Sequence, residues 1–194
     1  MATSPDNPAS SGTAMATILA VDDSRINLKG VSRMLEGHFR VLTAESGPAA
    51  LQIAAAEPRP DLILLDVMMP DMDGYEVIQR LQADEATRDI PVIFVTARVN
   101  DEDEQRGLSL GAADYITKPL RPAILLARIR NHLKLKQAQD ALRDYNTALE
   151  SSVAERTATL SAVLDSADQV IAMITEEGAI MAINRIGAEQ FDAT

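Results

Sequence analysis

Hydrophobic positions fall along this chain in two alternating patterns. Short unbroken apolar runs, bounded by turn residues, read as strands buried on both faces. They are Thr17–Val21, Phe39–Thr43, Asp61–Asp66, Pro91–Thr96 and Asp114–Thr117. Helical stretches lie between them. After Ser24, a candidate cap, Ile26, Leu28, Val31, Met34 and Leu35 are read as one apolar side. Ser46-Gly47-Pro48 opens an Ala-rich helix that stops before Pro58 and Pro60. Gly74 to about Leu81 carries Tyr75, Ile78 and Leu81 in phase. Asn100-Asp101-Glu102-Asp103-Glu104 starts a further helix with acids at its positive end, and Gly111 closes it. Strand and helix alternate, which predicts an α/β fold with a doubly wound five-stranded parallel sheet.

The pattern changes after this domain. From Ala123 to Glu177 there is neither Gly nor Pro, and the run to about Asp165 predicts one long helix that begins as the last helix of the α/β domain. Leu135, Ala138, Leu142, Tyr145 and Leu149 alternate three and four apart, a heptad seam. Val153 comes four residues later, and Leu160 carries the shifted phase. Such a four-residue step is a stutter, which locally unwinds a coiled coil. A parallel homodimer is therefore expected. Val170–Thr175 and Ala179–Ile183 read as two strands around the tight turn Glu176-Glu177-Gly178, and Asn184–Phe191 as the start of a helix. The polar leader, residues 1–16, is expected to be disordered. The expected parts are thus a leader (1–16), an α/β domain (17–134), a coiled-coil helix (135–165) and a small α+β segment (166–194).

Composition narrows the function. A formal charge of −11 argues against broad nucleic-acid binding, which needs a basic footprint. The chain contains no Cys, so disulfides and thiolate metal sites are excluded. No apolar run is long enough to span a bilayer and no signal-peptide pattern opens the chain, so a cytoplasmic protein is expected.

The strand ends concentrate polar chemistry. The first strand ends in Asp22 and Asp23, the third in Asp66, the fourth in Thr96, and the fifth leads to Lys118. In a doubly wound sheet these ends share one edge, where ligands bind. Clustered carboxylates repel and raise one another's pKa, a cost that a hard divalent cation removes. Mg²⁺ takes a few carboxylate oxygens and leaves room for phosphate. Lys118 adds a fixed positive charge, and the Thr96 hydroxyl can donate to an oxyanion. The set suits phosphoryl transfer to the Asp66 carboxylate as nucleophile. Singly, each residue has a plain reading as a helix cap or a surface charge. His38 and His132 read as surface residues, and the Met68-Met69 pair as loop packing.

Residues 17 to about 134 resemble the receiver domain of two-component response regulators. The motifs are Val21-Asp22-Asp23, Leu65-Asp66-Val67-Met68-Met69-Pro70-Asp71-Met72-Asp73-Gly74, Val95-Thr96-Ala97 and Tyr115-Ile116-Thr117-Lys118-Pro119. The resemblance implies a flavodoxin-like fold and an Asp66 that accepts phosphoryl from a histidine kinase or phosphotransfer protein. It implies Mg²⁺ on Asp23, Asp66 and the main-chain carbonyl of Met68, with Asp22 acting mostly through water. Thr96, Ala97 and Lys118 would surround the phosphoryl group, Thr96 and Tyr115 would form the switch, and Lys118-Pro119 would be cis. Leu160 to Thr194 resembles the opening of a PAS domain, and Glu155-Arg156-Thr157 resembles the signalling helices that precede such modules. The expected function is a phosphorylation-dependent regulator, not a turnover enzyme in itself. The alternative is the control unit of a larger histidine kinase or cyclic-dinucleotide enzyme.

Overall fold

The structure is a computed structural model that describes residues 15–97, 107, 109–166, 172–175 and 180–183. By compactness the chain divides into two units, Met1–Gln137 and Ala138–Thr194.

The first unit holds β1 (Thr17–Val21), α1 (Arg25–Leu35), β2 (Arg40–Ala44), α2 (Gly47–Ala55), β3 (Leu62–Asp66), α3 (Gly74–Ala83), β4 (Val92–Thr96), β5 (Asp114–Thr117) and the start of α4 (Pro122–Asp165). All five strands pair in parallel, in the order β2-β1-β3-β4-β5. Strand residues alternate between the two faces, as a period of two requires. Leu19, Val21, Ile63, Leu65, Val92 and Phe94 pack with α2 and α3. Ile18, Ala20, Leu62, Leu64, Ile93 and Val95 pack with α1 and with Leu125, Ile129 and Leu133 of α4. Both sheet faces are therefore covered, which is why the strands read as continuous apolar runs. Each fully buried Leu, Ile or Phe contributes about 1.5–3 kcal/mol of burial energy. That energy makes the sheet a rigid base for the groups at its edge.

Predicted strand and helix bounds agree with the observed ones to within one to three residues, and three local expectations are corrected. Ser24 occupies the N-cap of α1 but makes no side-chain cap bond; its backbone N–H instead donates to Asp22 Oδ1 at 2.9 Å. Ile26 is 82% exposed, while Leu28, Val31 and Leu35 are buried. Two residues apart on a helix is about 200° of rotation, so Ile26 and Leu28 face opposite ways. Met69 packs in the core as expected of the loop, but Met68 is exposed. The helix expected from Asn100 falls mainly on residues outside the described set. The expected leader lies outside it too, apart from residues 15 and 16.

The second unit holds the rest of α4 and an antiparallel pair, β6 (Ala172–Ile174) and β7 (Ile180–Ile183). The two predicted strands are therefore present and paired. The turn between them and the segment from Asn184 lie outside the described residues. Along α4, Leu135, Ala138, Leu142, Tyr145, Leu149, Val153 and Leu160 are all exposed. No helix among the described residues is long and apolar enough to cross a membrane.

Candidate functional site

The chain folds so that three strand ends meet. Val21 of β1 is level with Leu65 of β3, which brings Asp22 and Asp66 side by side one residue further on. The pair β1/β3 is where the strand order reverses, the crevice in which open α/β sheets bind ligands. One carboxylate oxygen each from Asp22, Asp23 and Asp66 lie within 4.8 Å of one another. Lys118 reaches this cluster from the far side. Its Nζ donates to Asp22 Oδ2 and to Asp66 Oδ2, both at 2.7 Å. Its backbone N–H donates to the Thr96 carbonyl at 2.7 Å, so the ends of β4 and β5 are tied together. The Lys118-Pro119 bond is cis, as expected.

Asp22 and Asp66 are both buried, but their surroundings differ. Asp22 Oδ1 accepts from the Ser24 N–H and from Asn27 Nδ2, each at 2.9 Å. Its Oδ2 accepts from Lys118 at 2.7 Å and from Asn27 at 3.1 Å. Burial alone would raise the Asp22 pKa, yet the hydrogen bonds from Lys118, Asn27 and Ser24 hold it below the ordinary carboxylate range. Asp66 receives less support. Burial raises its pKa, the Asp22 charge adds to this, and Lys118 together with the Met68 N–H at 3.3 Å only partly offsets it. Lys118 is pushed down by burial and up by its two carboxylate partners, and the latter win. The least stabilised anion is thus Asp66, at the end of the central strand. Asp23 is exposed, and no hydrogen bond among the described residues occupies its carboxylate.

The loop after Asp66 is fastened tightly. Asp71 adopts the left-handed conformation with φ 64°, in a γ-turn closed by Met72 N–H to Pro70 O at 2.7 Å. The Gly74 N–H donates to Val67 O at 2.9 Å. Asp73 caps α3 by accepting the Glu76 N–H at 2.8 Å. A Cβ on Gly74 would run into the Asp66 carbonyl oxygen and come within 2.9 Å of Val67 Cα.

Around this centre, Thr96 is buried at the end of β4, and Ala97 follows it on the surface. Tyr115 is buried against Phe94, with ring centroids 5.6 Å apart, and its hydroxyl lies 3.4 Å from that of Tyr75. Phe94 and Tyr75 meet edge to face at 5.4 Å. The sheet therefore brings Asp22, Asp66 and Lys118 into direct contact, with Asp23 beside them and Thr96 tied in through its carbonyl. Asn27 is a site residue that sequence reasoning missed. It is a polar residue in the first turn of α1, one turn past Asp23, and only the path of the chain after β1 shows that it turns back onto Asp22. Reading His132 as a surface residue is also corrected: its ring is half-buried and its Nε2 lies 3.1 Å from Asp114 Oδ2. The ring is thus held between its own helix, α4, and the first residue of β5.

The chain is similar in sequence and fold to known proteins. The family model for the response regulator receiver domain matches residues 18–130. A probable cyclic di-GMP phosphodiesterase from Vibrio cholerae is 42% identical over 163 residues, 84% of this chain and 37% of that protein. Response regulator PleD from Caulobacter vibrioides is 44% identical over 129 residues, 66% of this chain and 28% of that protein. The chain thus spans about a third of the length of these curated relatives. The crystal structure of Vibrio cholerae chemotaxis protein CheY4 aligns with a TM-score of 0.58 at 34% identity, covering 61% of this chain and 98% of that one. With a paired Asp22-Lys118-Asp66 centre at the sheet's switch point and a family match over more than half its length, the chain belongs to the response regulator receiver family.

Proposed function

We propose that Asp66 is the phosphoryl acceptor, with a histidine kinase or phosphotransfer protein as donor. The observation that carries this reading is the unequal support of the two buried carboxylates. Asp22 is saturated with protein donors, while Asp66 Oδ1 has one long bond to Met68 N–H. An Asp66 oxygen attacks the phosphorus, the bond from phosphorus to the donor breaks, and an acyl phosphate forms. Lys118 stands 2.7 Å from Asp66 and is placed to neutralise the incoming oxygens, with Thr96 and Ala97 at the adjoining strand end. Thr96 and Tyr115 are the switch pair in this reading.

Three clustered carboxylates are a hard-oxygen donor set that fits Mg²⁺. Asp23, Asp66 and the Met68 carbonyl would hold the ion, and Asp22 would act through water because its lone pairs are filled by Ser24, Asn27 and Lys118. When bound, Mg²⁺ supplies charge neutralisation for the phosphoryl oxygens. Asp23→Asn is expected to weaken Mg²⁺ binding by at least the roughly 10–100-fold typical of substitutions that only support a ligand. Calorimetry reads this directly, and unchanged affinity would remove Asp23 from the ligand set.

Beyond the receiver, the reading is a receiver at 17–134 after a leader (1–16), a coiled-coil signalling helix at 135–165 and a PAS-like start at 166–194. The stripe from Leu135 to Leu160 is exposed and repeats at three and four residues, and a parallel two-fold dimer presents it to its own copy. A cytoplasmic location is consistent with the absence of a membrane-length helix among the described residues. The alternative, a control unit for a larger enzyme, gains from one finding. The match to the Vibrio cholerae phosphodiesterase covers 84% of this chain, so it runs past residue 130 into α4. A cyclic-dinucleotide enzyme is on this ground the favoured output, located outside these residues.

One experiment tests the acceptor and the dimer together. With Mg²⁺ and acetyl phosphate, intact-mass analysis should show a single labile adduct that chelation of the metal prevents. Light scattering should show a dimer, and Leu142→Asp with Leu149→Asp should convert it to a monomer. An absent adduct defeats the acceptor; a monomeric wild type defeats the seam.

A further inference from the structure

One carboxylate outside the acid cluster joins the edge of the sheet to the long helix. Asp114 opens β5, which is an edge strand. Its Oδ1 accepts from the backbone N–H of Tyr115 at 2.7 Å and from Arg128 Nη1 at 2.6 Å. Its Oδ2 accepts from the same Arg128 nitrogen at 2.7 Å and lies 3.1 Å from His132 Nε2. Arg128 and His132 stand one turn apart on α4, so the helix grips a single carboxylate at two points. On another face of that helix Leu125, Ile129 and Leu133 are buried against the sheet. The first turns of α4 are therefore held both by apolar packing and by a polar knot.

This knot differs from several ion pairs of the described residues that lie away from the acid cluster. The pairs of Arg25 with Glu45, Arg80 with Glu76 and Arg88 with Glu85 are between exposed side chains, and such pairs are worth little. In the knot, Arg128 is 45% exposed, but the side chains of Asp114 and His132 are only 20% and 18% exposed. The Asp114 carboxyl is correspondingly held below the ordinary range: burial acts against this, but Arg128, the Tyr115 N–H and His132 overcome it. The same carboxylate that the helix grips also holds the N–H of Tyr115. A shift of the β5 backbone at Tyr115 cannot occur without moving the group to which α4 is tied.

We infer that Asp114, Arg128 and His132 form the coupling element through which a change at Lys118 reaches helix α4. The inference rests on the reading of Asp66 as the phosphoryl acceptor. Lys118 follows β5 directly and is paired with Asp66 Oδ2. A phosphoryl group on Asp66 adds negative oxygens beside Lys118, and Lys118 must re-pair. Its backbone, tied to Thr96 O, shares any resulting adjustment with β5. Arg128 Nη1 bridges both Asp114 oxygens, so a displacement of the carboxylate is carried to its partner on α4. Leu135, the first residue of the exposed seam, lies one turn beyond His132 on the same helix. Arg128 and His132 are positioning residues here and take no part in the chemistry at Asp66.

Arg128→Lys separates coupling from simple structural support. A lysine keeps the attraction to Asp114 but loses the rigid planar group that holds one nitrogen across both carboxylate oxygens. Phosphorylation of the full chain by acetyl phosphate and Mg²⁺ is followed by intact mass, and amide exchange is followed over peptides from 122–137. The wild type should show a several-fold change in exchange over that segment at full occupancy. Arg128→Lys and Asp114→Asn should reach the same occupancy with less than half of that change, and His132→Gln should fall between. An undiminished change in both variants, or no change in the fully phosphorylated wild type, would overturn the inference. Absence of any adduct on the wild type is a different result, since it removes Asp66 as the acceptor. Arg128→Lys carries the test if Asp114→Asn fails to fold.

Discussion

Asp66→Asn is expected to abolish phosphoryl uptake while leaving the receiver as stable as before or more so. A carboxamide oxygen is a poor nucleophile, and Asp22, the other buried carboxylate, has its oxygens filled by Ser24, Asn27 and Lys118. Asp22 is therefore not placed to take over, Asp23 lies on the exposed side as the proposed metal ligand, and the labile adduct should vanish. The stability change follows from the direction of the pKa shift. Burial first, and then the Asp22 charge, raise the Asp66 pKa in the folded state. An acid with a raised folded pKa binds more protons folded than unfolded between the two values, so stability falls as pH rises through that window. The window opens at the unfolded value of about 3.9. At neutral pH the ionised Asp66 is a net cost, and the neutral amide lifts it. Melting at neutral pH without divalent cation should then move upward, by about 2–4 °C for each kcal/mol relieved in a chain of this size. The gain should shrink as pH falls through the window. Added Mg²⁺ should reverse the ranking, because an ion bound by the folded wild type stabilises it by mass action. An adduct that survives in the variant would remove Asp66 as the only acceptor. A lower melting temperature at neutral pH would show that the Lys118 pair outweighs the cost of burial.

Gly74→Ala should be the most damaging single methyl group in the receiver. The added Cβ collides with the Asp66 carbonyl oxygen and sits 2.9 Å from Val67 Cα and 3.2 Å from the Asp66 carbonyl carbon. All three are backbone atoms at the end of the central strand, so no side chain can rotate to make room. Overpacking of this kind costs about 1–3 kcal/mol, and more where backbone must move. The shift falls on Asp66, the proposed acceptor, so the rate of adduct formation should drop as well. Gly30→Ala is the internal control. Gly30 lies inside α1 with nothing within 4 Å of the place a Cβ would take, and replacing it removes chain entropy without a clash. That change should stabilise by about 0.5–1 kcal/mol. Urea unfolding of the two variants should therefore move in opposite directions. A Gly74→Ala protein as stable as the wild type would mean that the loop after Asp66 yields far more easily than its tight fastening implies.

The order of strands and helices follows from the sequence because it depends on local periodicity. Five apolar runs separated by helical stretches allow few arrangements, and burial on both sheet faces explains why those runs are unbroken. The acid cluster is also readable, since Asp22, Asp23, Asp66, Thr96 and Lys118 all end or follow strands and a parallel sheet gathers strand ends on one edge. The long helix and the paired strands after it follow from the same kind of pattern. What only the tertiary structure decided are the relations between side chains far apart in sequence. Ile26 is a different case, because grouping it with the apolar side of α1 misapplied the period: two helical residues turn it about 200° away from the buried Leu28. Asn27 carries no signal of its own until the turn after β1 aims it at Asp22. The unequal support of Asp22 and Asp66 depends on where Lys118 reaches across the sheet. Arg128 and His132 lie 14 and 18 residues beyond Asp114 along the chain. Periodicity places each of the three in its own element, but their convergence depends on how α4 crosses the edge of the sheet. Hydrophobic patterning acts residue by residue and survives in a one-dimensional reading. Directional hydrogen bonds and ion pairs need both partners in place, and the packed core puts them there.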